Sequence, residues 1–278
     1  VVGSGTKGTI EDNDIHGNAE AGVGIEKGAD PAVRKNRIHD GQSAGVLVYG
    51  QGTKGTIEDN DIHGNANAGV GIGKGADPAV RTNRIHDGKQ AGVLVDGSGT
   101  KGTIEDNDIH GNAHAGVGIV KGADPAVRTN RIGDGKDAGV VVDGSGTKGT
   151  IEDNDIHGNA YAGVRIGKGA DPAVRKNRIH GGNQSGVLVH GSGTKGTIED
   201  NDIHRNAYAG VGIGDGADPA VRTNRIHDGN QSGVLVDGSG TKGAIEHNHI
   251  HDNANAGVEI AEGADPSVRK NHIHDGKQ

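Results

Sequence analysis

Short segments in which apolar residues alternate with small or polar ones recur along the whole chain. Residues 21–25 read AGVGI and residues 44–48 read AGVLV. A spacing of two between apolar positions is typical of β-strands, whereas a helix requires a spacing of three to four. Each segment therefore predicts a short strand, in which Ala21, Val23 and Ile25 face the interior while Gly22 and Gly24 face solvent. The same orientation is predicted for residues 44–48.

The strand-forming segments belong to an internal repeat of 47 residues that contains no insertion. Its first isoleucine stands at positions 10, 57, 104, 151, 198 and 245. Each repeat divides into two similar halves, residues 9–31 and 32–55 in the first repeat, which we call coil A and coil B. Self-similarity at a fixed period is the signature of a solenoid, in which each unit packs only on its neighbours.

The repeat predicts an all-β fold, a right-handed parallel β-helix of about 12 coils of 23–24 residues with three short strands per coil. Residues 1–278 then form a single β-helix domain of six 47-residue two-coil repeats, with partial coils at both ends. Stacked coils are about 4.8 Å apart, the usual separation of hydrogen-bonded strands. Residues at equivalent positions of successive coils thus become direct neighbours.

Every coil carries an asparagine at its fifth position. An amide stacked on identical amides can donate and accept hydrogen bonds along the axis, so we expect a structural ladder rather than a ligand site. The predicted ladder consists of Asn13, Asn36, Asn60, Asn83, Asn107, Asn130, Asn154, Asn177, Asn201, Asn224, Asn248 and Asn271.

Two outward columns alternate in charge, because coil A supplies acidic residues where coil B supplies basic ones. The first column begins with Glu11 and Arg34, and the second begins with Asp14 and Arg37. Opposite charges on adjacent strands stabilise a sheet, and like charges destabilise it. We therefore expect these carboxylates to form ion pairs that fix the register of the coils, and not to serve as proton donors.

The composition narrows the possible chemistry. The chain has 54 Gly, six Pro and three Tyr but no Cys, Met, Trp or Phe, and its net charge is −8. Absence of Cys excludes disulfides, thiol catalysis and thiolate zinc sites. The acidic balance, without a basic face, argues against nucleic acid. No apolar run is long enough for a membrane span, so we expect no membrane partner.

Histidine forms a third column, which begins at His16 and His39 and is interrupted only at Gly133. We expect a solvated column of stacked rings and no cofactor, with adventitious divalent metal binding as the only exception. In the last repeat two further histidines replace the Asp/Arg pair and make a cluster. The candidate metal ligands are His249, His251, His272 and His274, since imidazole is a common ligand of zinc, copper and nickel.

A few positions differ between the otherwise uniform repeats, in the turn before the third strand and on the outer face of that strand. Tyr161 and Tyr208 lie two coils apart in the turn, at a separation that suits a bracketed sugar ring. Arg165 stands where most repeats have Gly. These three residues are the possible ligand-facing positions, although loop tips also vary without functional cause.

The segment NDIHGNAEAGVGI, residues 13–25, resembles the parallel β-helix repeats of carbohydrate-binding proteins and sugar hydrolases. The alternating pair of coils, with DPAVRKNRIHDG at 30–41, is most similar to the β-helix region of F-box only proteins. That resemblance covers the whole chain and implies the fold, and in F-box proteins it implies recruitment of substrate proteins. No F-box or zinc-finger segment accompanies it here, so no ligase role is expected.

The uniformity of the repeats favours a non-catalytic structural scaffold, a consensus or designed β-solenoid without an evolved ligand site. No catalytic triad, phosphate loop or metalloprotease motif occurs, so we expect no enzyme activity. The alternative is a glycan- or protein-binding β-helix module of a bacterial surface or secreted protein. Uncapped strand edges at both ends predict end-to-end self-association. A designed chain would have no natural compartment, and a natural one would be secreted or lie on the cell surface.

Overall fold

The three predicted strands per coil are present in the computed structural model, which describes residues 1–277. Residues 1–277 form 35 short strands, and every pairing between them is parallel. Equivalent strands of successive coils lie side by side, so the coils stack into three long sheets. The fold is an all-β, right-handed parallel β-solenoid of about twelve coils, which confirms the predicted fold class.

The first sheet contains twelve strands of three residues, and the middle residue of each strand points into the core. Its strands are β1 (Thr9–Glu11), β4 (Ala32–Arg34), β7 (Thr56–Glu58), β10 (Ala79–Arg81), β13 (Thr103–Glu105), β16 (Ala126–Arg128), β19 (Thr150–Glu152), β22 (Ala173–Arg175), β25 (Thr197–Glu199), β28 (Ala220–Arg222), β31 (Ala244–Glu246) and β34 (Ser267–Arg269).

The second sheet follows after a sharp bend and also has twelve strands. These are β2 (Asp14–His16), β5 (Arg37–His39), β8 (Asp61–His63), β11 (Arg84–His86), β14 (Asp108–His110), β17 (Arg131–Gly133), β20 (Asp155–His157), β23 (Arg178–His180), β26 (Asp202–His204), β29 (Arg225–His227), β32 (His249–His251) and β35 (His272–His274).

The third sheet has eleven longer strands. These are β3 (Val23–Glu26), β6 (Val46–Tyr49), β9 (Ala68–Gly73), β12 (Ala91–Asp96), β15 (Ala115–Val120), β18 (Ala138–Asp143), β21 (Ala162–Gly167), β24 (Ser185–His190), β27 (Val211–Gly214), β30 (Val234–Asp237) and β33 (Val258–Ala261).

Stacked aliphatic side chains fill the interior. In a central coil Ile104, Ile109, Val117 and Ile119 come from the three sheets, and all four are fully buried. Each stacks on the equivalent side chain of the next coil, as Ile104 does on Val127. Because β-branched residues pack well on a pleated surface, columns of Ile and Val supply the core without aromatic residues.

The asparagine column closes the bend between the first and second sheets. Asn60 Nδ2 donates to the Val33 carbonyl at 2.9 Å and to Asn83 Oδ1 at 2.9 Å, and that oxygen also accepts from the Asn60 backbone N–H. The residue before each asparagine is left-handed, as at Asp59 with φ 55°. The amide ladder thus satisfies backbone groups that the bend leaves without strand partners.

The predicted orientation of the third strand is wrong at its first two residues. A Cβ added to Gly45 would lie 2.9 Å from Ile62 Cγ2, so this glycine faces the core and not solvent. Alanines at the preceding position point outward instead, and pack on the outer face with Leu94, Val141 and Leu188. The strict alternation fails because glycine leaves room for the isoleucine of the second sheet where the chain turns into the third.

Charge pairing is confirmed for only one of the two predicted columns. In the first, Arg128 Nη2 lies 2.7 Å from Glu105 Oε2, and hydrogen bonds from Lys35 and then Arg34 lower the pKa of Glu11. In the second, within residues 1–277, only one Asp–Arg pair comes as close as 3.8 Å. The aspartates of this column mostly meet histidine, because the arginines extend into solvent.

The last coil exposes part of its apolar core. Ile260 is 51% exposed and Ile273 is 44% exposed, whereas their counterparts in central coils are buried. The predicted end-to-end association concerns such surfaces and stays a prediction. Among the described residues there is no helix with the length and apolar character needed to cross a bilayer.

Candidate functional site

The outer face of the third sheet carries several shallow depressions. Its central column alternates between glycine in coil A and a larger aliphatic residue in coil B, so that Gly71 lies between Leu47 and Leu94. A shallow depression lined by these side chains results, and a similar one surrounds Gly212. The glycines at the two centres are six coils apart, about 29 Å at about 4.8 Å per coil.

Charged side chains interrupt this pattern near the middle of the rod. Arg165 on β21 takes the place of the outward glycine, with Val141 and Leu188 as its neighbours on the adjacent strands. Gly167, two residues further on, lies between Asp143 and His190. We call Asp143, Tyr161, Arg165, His190 and Tyr208 the central patch.

Three polar atoms of the central patch are buried without a hydrogen-bond partner: Asp143 Oδ1, Arg165 Nε and His190 Nε2. The Asp143 side chain is only 9% exposed and the Arg165 side chain 16%. Arg165 Nη2 lies 3.6 Å from Asp143 Oδ2, too far for a hydrogen bond. Unsatisfied buried polar groups are uncommon and costly, so three of them in one place make the central patch the candidate site.

The absence of a side chain at Gly167 lets two of these groups lie close above its backbone. A Cβ added at Gly167 would lie 2.8 Å from Asp143 Oδ1 and 3.0 Å from His190 Nε2. Both atoms therefore converge above this glycine from the strands on either side. Lys168 Nζ adds a positive charge 3.0 Å from Asp143 Oδ2.

The two tyrosines stand at the edge of the depression around Gly212. Tyr161 is 38% exposed and Tyr208 is 42% exposed, and their backbones are fixed by hydrogen bonds to the preceding coils. The same depression is lined by His190 and Asp215, whose Nδ1 and Oδ2 atoms are 3.9 Å apart. Tyrosine rings offer an apolar face and a polar hydroxyl, which suits a sugar.

Three of the five residues of the central patch, Tyr161, Arg165 and Tyr208, are the ligand-facing positions predicted from the sequence, and that role stays a prediction. Asp143 and His190 were missed, although their column also varies between repeats. The signal that could have found them is the register: Asp143 and His190 belong to the coils immediately before and after that of Arg165.

The histidine column is stacked, but it is less solvated than predicted. Successive rings lie about 5 Å apart, for example 4.9 Å between His180 and His204. Coil B histidines contact carboxylates: His227 Nε2 lies 2.9 Å from Asp202 Oδ1, and its Nδ1 lies 2.9 Å from Asp228 Oδ2. Coil A histidines lack this bridge, and burial lowers the pKa of His204 to about 4. Burial of the coil A histidine His204 therefore makes the column sensitive to acid.

Stability is expected to decrease as the pH falls from about 6.5 toward 4. Burial also lowers the pKa values of His63 and His157. In this interval the unfolded chain binds protons that the folded chain does not, so acid favours unfolding. Urea denaturation at several pH values should show this slope, and His204→Asn should make it shallower. His114→Asn, at an exposed histidine outside the column, is the control, and equal slopes in all three proteins would contradict the explanation.

Near the C-terminal end, three of the four predicted metal ligands, His249, His272 and His274, lie close together. His249 Nε2 and His274 Nε2 are 2.8 Å apart, and a ligand nitrogen of His272 lies within 4.8 Å of both. His251 is engaged elsewhere: its Nδ1 lies 2.7 Å from Asp252 Oδ2, and its Nε2 accepts from Arg225 Nε at 3.3 Å. Burial, followed by the other three histidines, lowers the pKa of His249.

The three parallel sheets, formed by stacked coils, define a protein of the right-handed parallel β-solenoid class. A family model described as "Right handed beta helix region" matches residues 1–132 and 124–273. The chain therefore belongs to the right-handed β-helix family. No curated protein matches it by sequence.

Several solved structures share the fold at low sequence identity. The A-module of mannuronan C-5 epimerase AlgE6 from Azotobacter vinelandii has a TM-score of 0.69 and 19% identity, over 99% of this chain and 79% of that one. The A-module of AlgE4 from the same organism has a TM-score of 0.64 and 18% identity, over 98% and 79%. The periplasmic alginate epimerase AlgG has a TM-score of 0.69 and 11% identity, over 89% and 71%.

These neighbours correct two expectations. We expected a non-catalytic scaffold without a ligand site, and no enzyme activity. The similar solved structures are instead epimerases of mannuronan and alginate, so a uniform β-solenoid is no argument against a glycan-related activity. The inference from uniform repeats was wrong, because a site on such a rod requires only a few changed side chains on one face. The consensus origin of the repeats stays a prediction.

Proposed function

We propose that this protein binds an extended glycan along the outer face of the third sheet, with the central patch as its recognition site. The observation that carries the proposal is the buried, incompletely paired Arg165 among the unpartnered atoms of Asp143 and His190. A guanidinium group binds carboxylates well, because its planar donors match the two oxygens. A glycan that contains uronic acid is therefore the preferred ligand class.

Two further features support a glycan. The central depression, which surrounds Gly212, has Leu188 and Leu235 on either side of the glycine, and such side chains can contact the apolar face of a sugar ring. Tyr161 and Tyr208 present exposed rings at this depression. The fold neighbours named as mannuronan and alginate epimerases act on this class of polymer. Such a function suits a secreted or cell-surface protein.

A second candidate function is an acid–base reaction on the bound glycan. His190, Tyr161, Tyr208 and Asp215 line one depression, and His190 Nε2 has no partner. Epimerisation at C5 of a uronate requires a base that removes the C5 proton on one face and an acid that delivers a proton to the other. Mannuronan incubated with the protein in D₂O would then acquire deuterium at C5. If mannuronan binds but acquires no deuterium, binding is the only activity.

Binding to mannuronan oligosaccharides, measured by calorimetry, tests the proposal. Arg165→Gly restores the residue of most repeats and removes a charged hydrogen bond worth about 1.5–3 kcal/mol, so the affinity should fall about 10- to 100-fold. Tyr161→Asn and Tyr208→Asn, which copy Asn67 and Asn255 of other repeats, should weaken binding of both acidic and neutral oligosaccharides.

Tyr49→Asp is the matched control when the ligand is a mannuronan trisaccharide, because Tyr49 lines a separate depression on a strand five coils from that of Arg165, about 24 Å away and beyond the reach of three sugar rings. We expect its affinity to equal that of the unaltered protein. An equal loss in Tyr49→Asp and Arg165→Gly would contradict a central recognition site. Neutral mannan oligosaccharides that bind as tightly as mannuronan would contradict the role of Arg165.

A further inference from the structure

The last repeat departs from the other five at two positions of the second sheet. Where the preceding repeats have aspartate in coil A and arginine in coil B, it has His249 on β32 and His272 on β35. The adjacent histidine column contributes His274 two residues after His272. Direct pairing of β32 with β35 places His249 opposite His272.

These three side chains form a compact group of potential ligand nitrogens. His249 stacks on His272 with ring centroids 4.9 Å apart, and His274 is tilted against both rings. All three ligand atoms lie within 4.8 Å of one another. Within residues 1–277 no other set of three histidines, aspartates or glutamates is gathered in this way. The rest of the histidine column has carboxylates and guanidinium groups where this group has imidazoles.

A second contact orients the central ligand. His274 Nδ1 lies 2.7 Å from Asp275 Oδ2, so this nitrogen donates its proton to the carboxylate. The Nε2 atom of His274 is then left with its lone pair directed at His249 Nε2, 2.8 Å away. A carboxylate behind a ligating imidazole is the usual arrangement at metal sites, where it fixes the tautomer and strengthens the ligand.

We propose that His249, His272 and His274 bind a divalent ion of borderline softness, with Zn²⁺ as the reference ion. Three nitrogen ligands suit zinc, and a fourth tetrahedral position is open to water or to another ligand. Nitrogens bound to one tetrahedral zinc are about 3.4 Å apart, given bonds of about 2.0–2.1 Å. The nitrogens of His249 and His274 are closer than this, at 2.8 Å, and all three ligand nitrogens lie within 4.8 Å of one another. The His272 side chain is exposed, so its ring can rotate to adjust the distance.

His251 lies outside the proposed set. It stacks in the regular column between His227 and His274, and both its nitrogens have protein partners. The sequence placed it with the other three because its neighbours along the column are also histidines. The contacts of Arg225 and Asp252 account for its separate role.

Metal binding at this place would join the final two coils. The ligands come from two adjacent strands, and the last coil is the one whose core is partly exposed, with Ile260 and Val268 accessible to solvent. An ion that binds only the folded chain stabilises it in proportion to its occupancy. Zinc should therefore raise the thermal midpoint, and EDTA should reverse the increase.

The test is a calorimetric titration of the full chain with Zn²⁺, accompanied by the absorption spectrum of the Co²⁺ form. The double variant His249→Asp/His272→Arg restores the pair found in the other repeats, so it should fold. We expect one site per chain in the unaltered protein and a tetrahedral Co²⁺ spectrum. Removal of a hydrogen-bond partner behind a metal ligand already lowers metal affinity about 10- to 100-fold. The double variant loses two ligands, so its zinc affinity should fall by at least that factor.

Two further variants separate this site from general binding by the histidine column. His180→Asn removes an imidazole from the regular column and should leave the zinc affinity unchanged. Asp275→Asn should weaken binding about 10-fold while the Co²⁺ spectrum stays tetrahedral. Equal zinc binding by the double variant, or no heat, no spectrum and no shift of the thermal midpoint with the unaltered protein, would overturn the proposal.

Discussion

Asn154→Ala is expected to lower the free energy of unfolding by about 3–5 kcal/mol, because each buried polar group that loses its partner costs about 1–3 kcal/mol. Asn154 Oδ1 accepts from the backbone N–H and the Nδ2 of Asn130, at 2.9 and 3.0 Å. Its Nδ2 donates to the Val127 carbonyl and to Asn177 Oδ1, both at 2.9 Å. Alanine removes all four of these hydrogen bonds and leaves the backbone N–H of Asn130 in the interior without a replacement acceptor. Urea denaturation followed by circular dichroism measures the loss.

The matched control is Asn13→Ala at the first position of the same ladder. Asn13 is exposed and donates to Asn36 Oδ1 and to the Glu11 carbonyl, but no residue before it donates to its own oxygen. We expect a loss of about 1 kcal/mol, the usual net contribution of one hydrogen bond. If the two variants lost the same amount, the ladder would not be the element that holds the bends.

Gly116→Ala should be among the most damaging substitutions of a single methyl group, with a loss of about 3 kcal/mol or more. A Cβ at this position would contact Ile132 Cγ2 and would lie 2.7 Å from the backbone oxygen of Gly139. The backbone oxygen belongs to the next coil and cannot move without breaking the sheet. The thermal midpoint and the urea midpoint should both fall.

Gly118→Ala, two residues further along the same strand, is the control. Its added Cβ would lie 3.3 Å from Leu94 Cδ1, the end of a flexible side chain on the outer face. The expected change is less than about 1 kcal/mol, as at other surface positions. The sequence alone predicts that both glycines face outward. Equal effects of the two substitutions would support that orientation and contradict the inward orientation of Gly116.

The repeat made most of the fold predictable. The 47-residue period and the two-residue alternation give the coil length, the number of strands and the parallel register, because stacking identical units leaves few alternatives. The alternating charges of the column that begins with Glu11 and Arg34 follow from the same register, because these residues pair on adjacent strands. The inward glycines were not predictable from alternation, since their orientation depends on Ile132 and its equivalents in the second sheet.

The candidate site was less predictable for a physical reason. Tyr161, Tyr208 and Arg165 differ from the repeat and so attract attention in the sequence. Asp143 resembles the aspartates of other repeats, and it becomes unusual only because Gly167 and His190 follow it in the next two coils. Three-dimensional register, not residue type, distinguishes it.

A crystal structure of the protein with a mannuronan oligosaccharide is the most direct test of glycan recognition. We predict a sugar chain parallel to the solenoid axis on the outer face of the third sheet. One sugar carboxylate should bind the Arg165 guanidinium, and one sugar ring should lie between Tyr161 and Tyr208. An oligosaccharide bound on the first or second sheet, or an empty central patch at concentrations that saturate binding in solution, would contradict it.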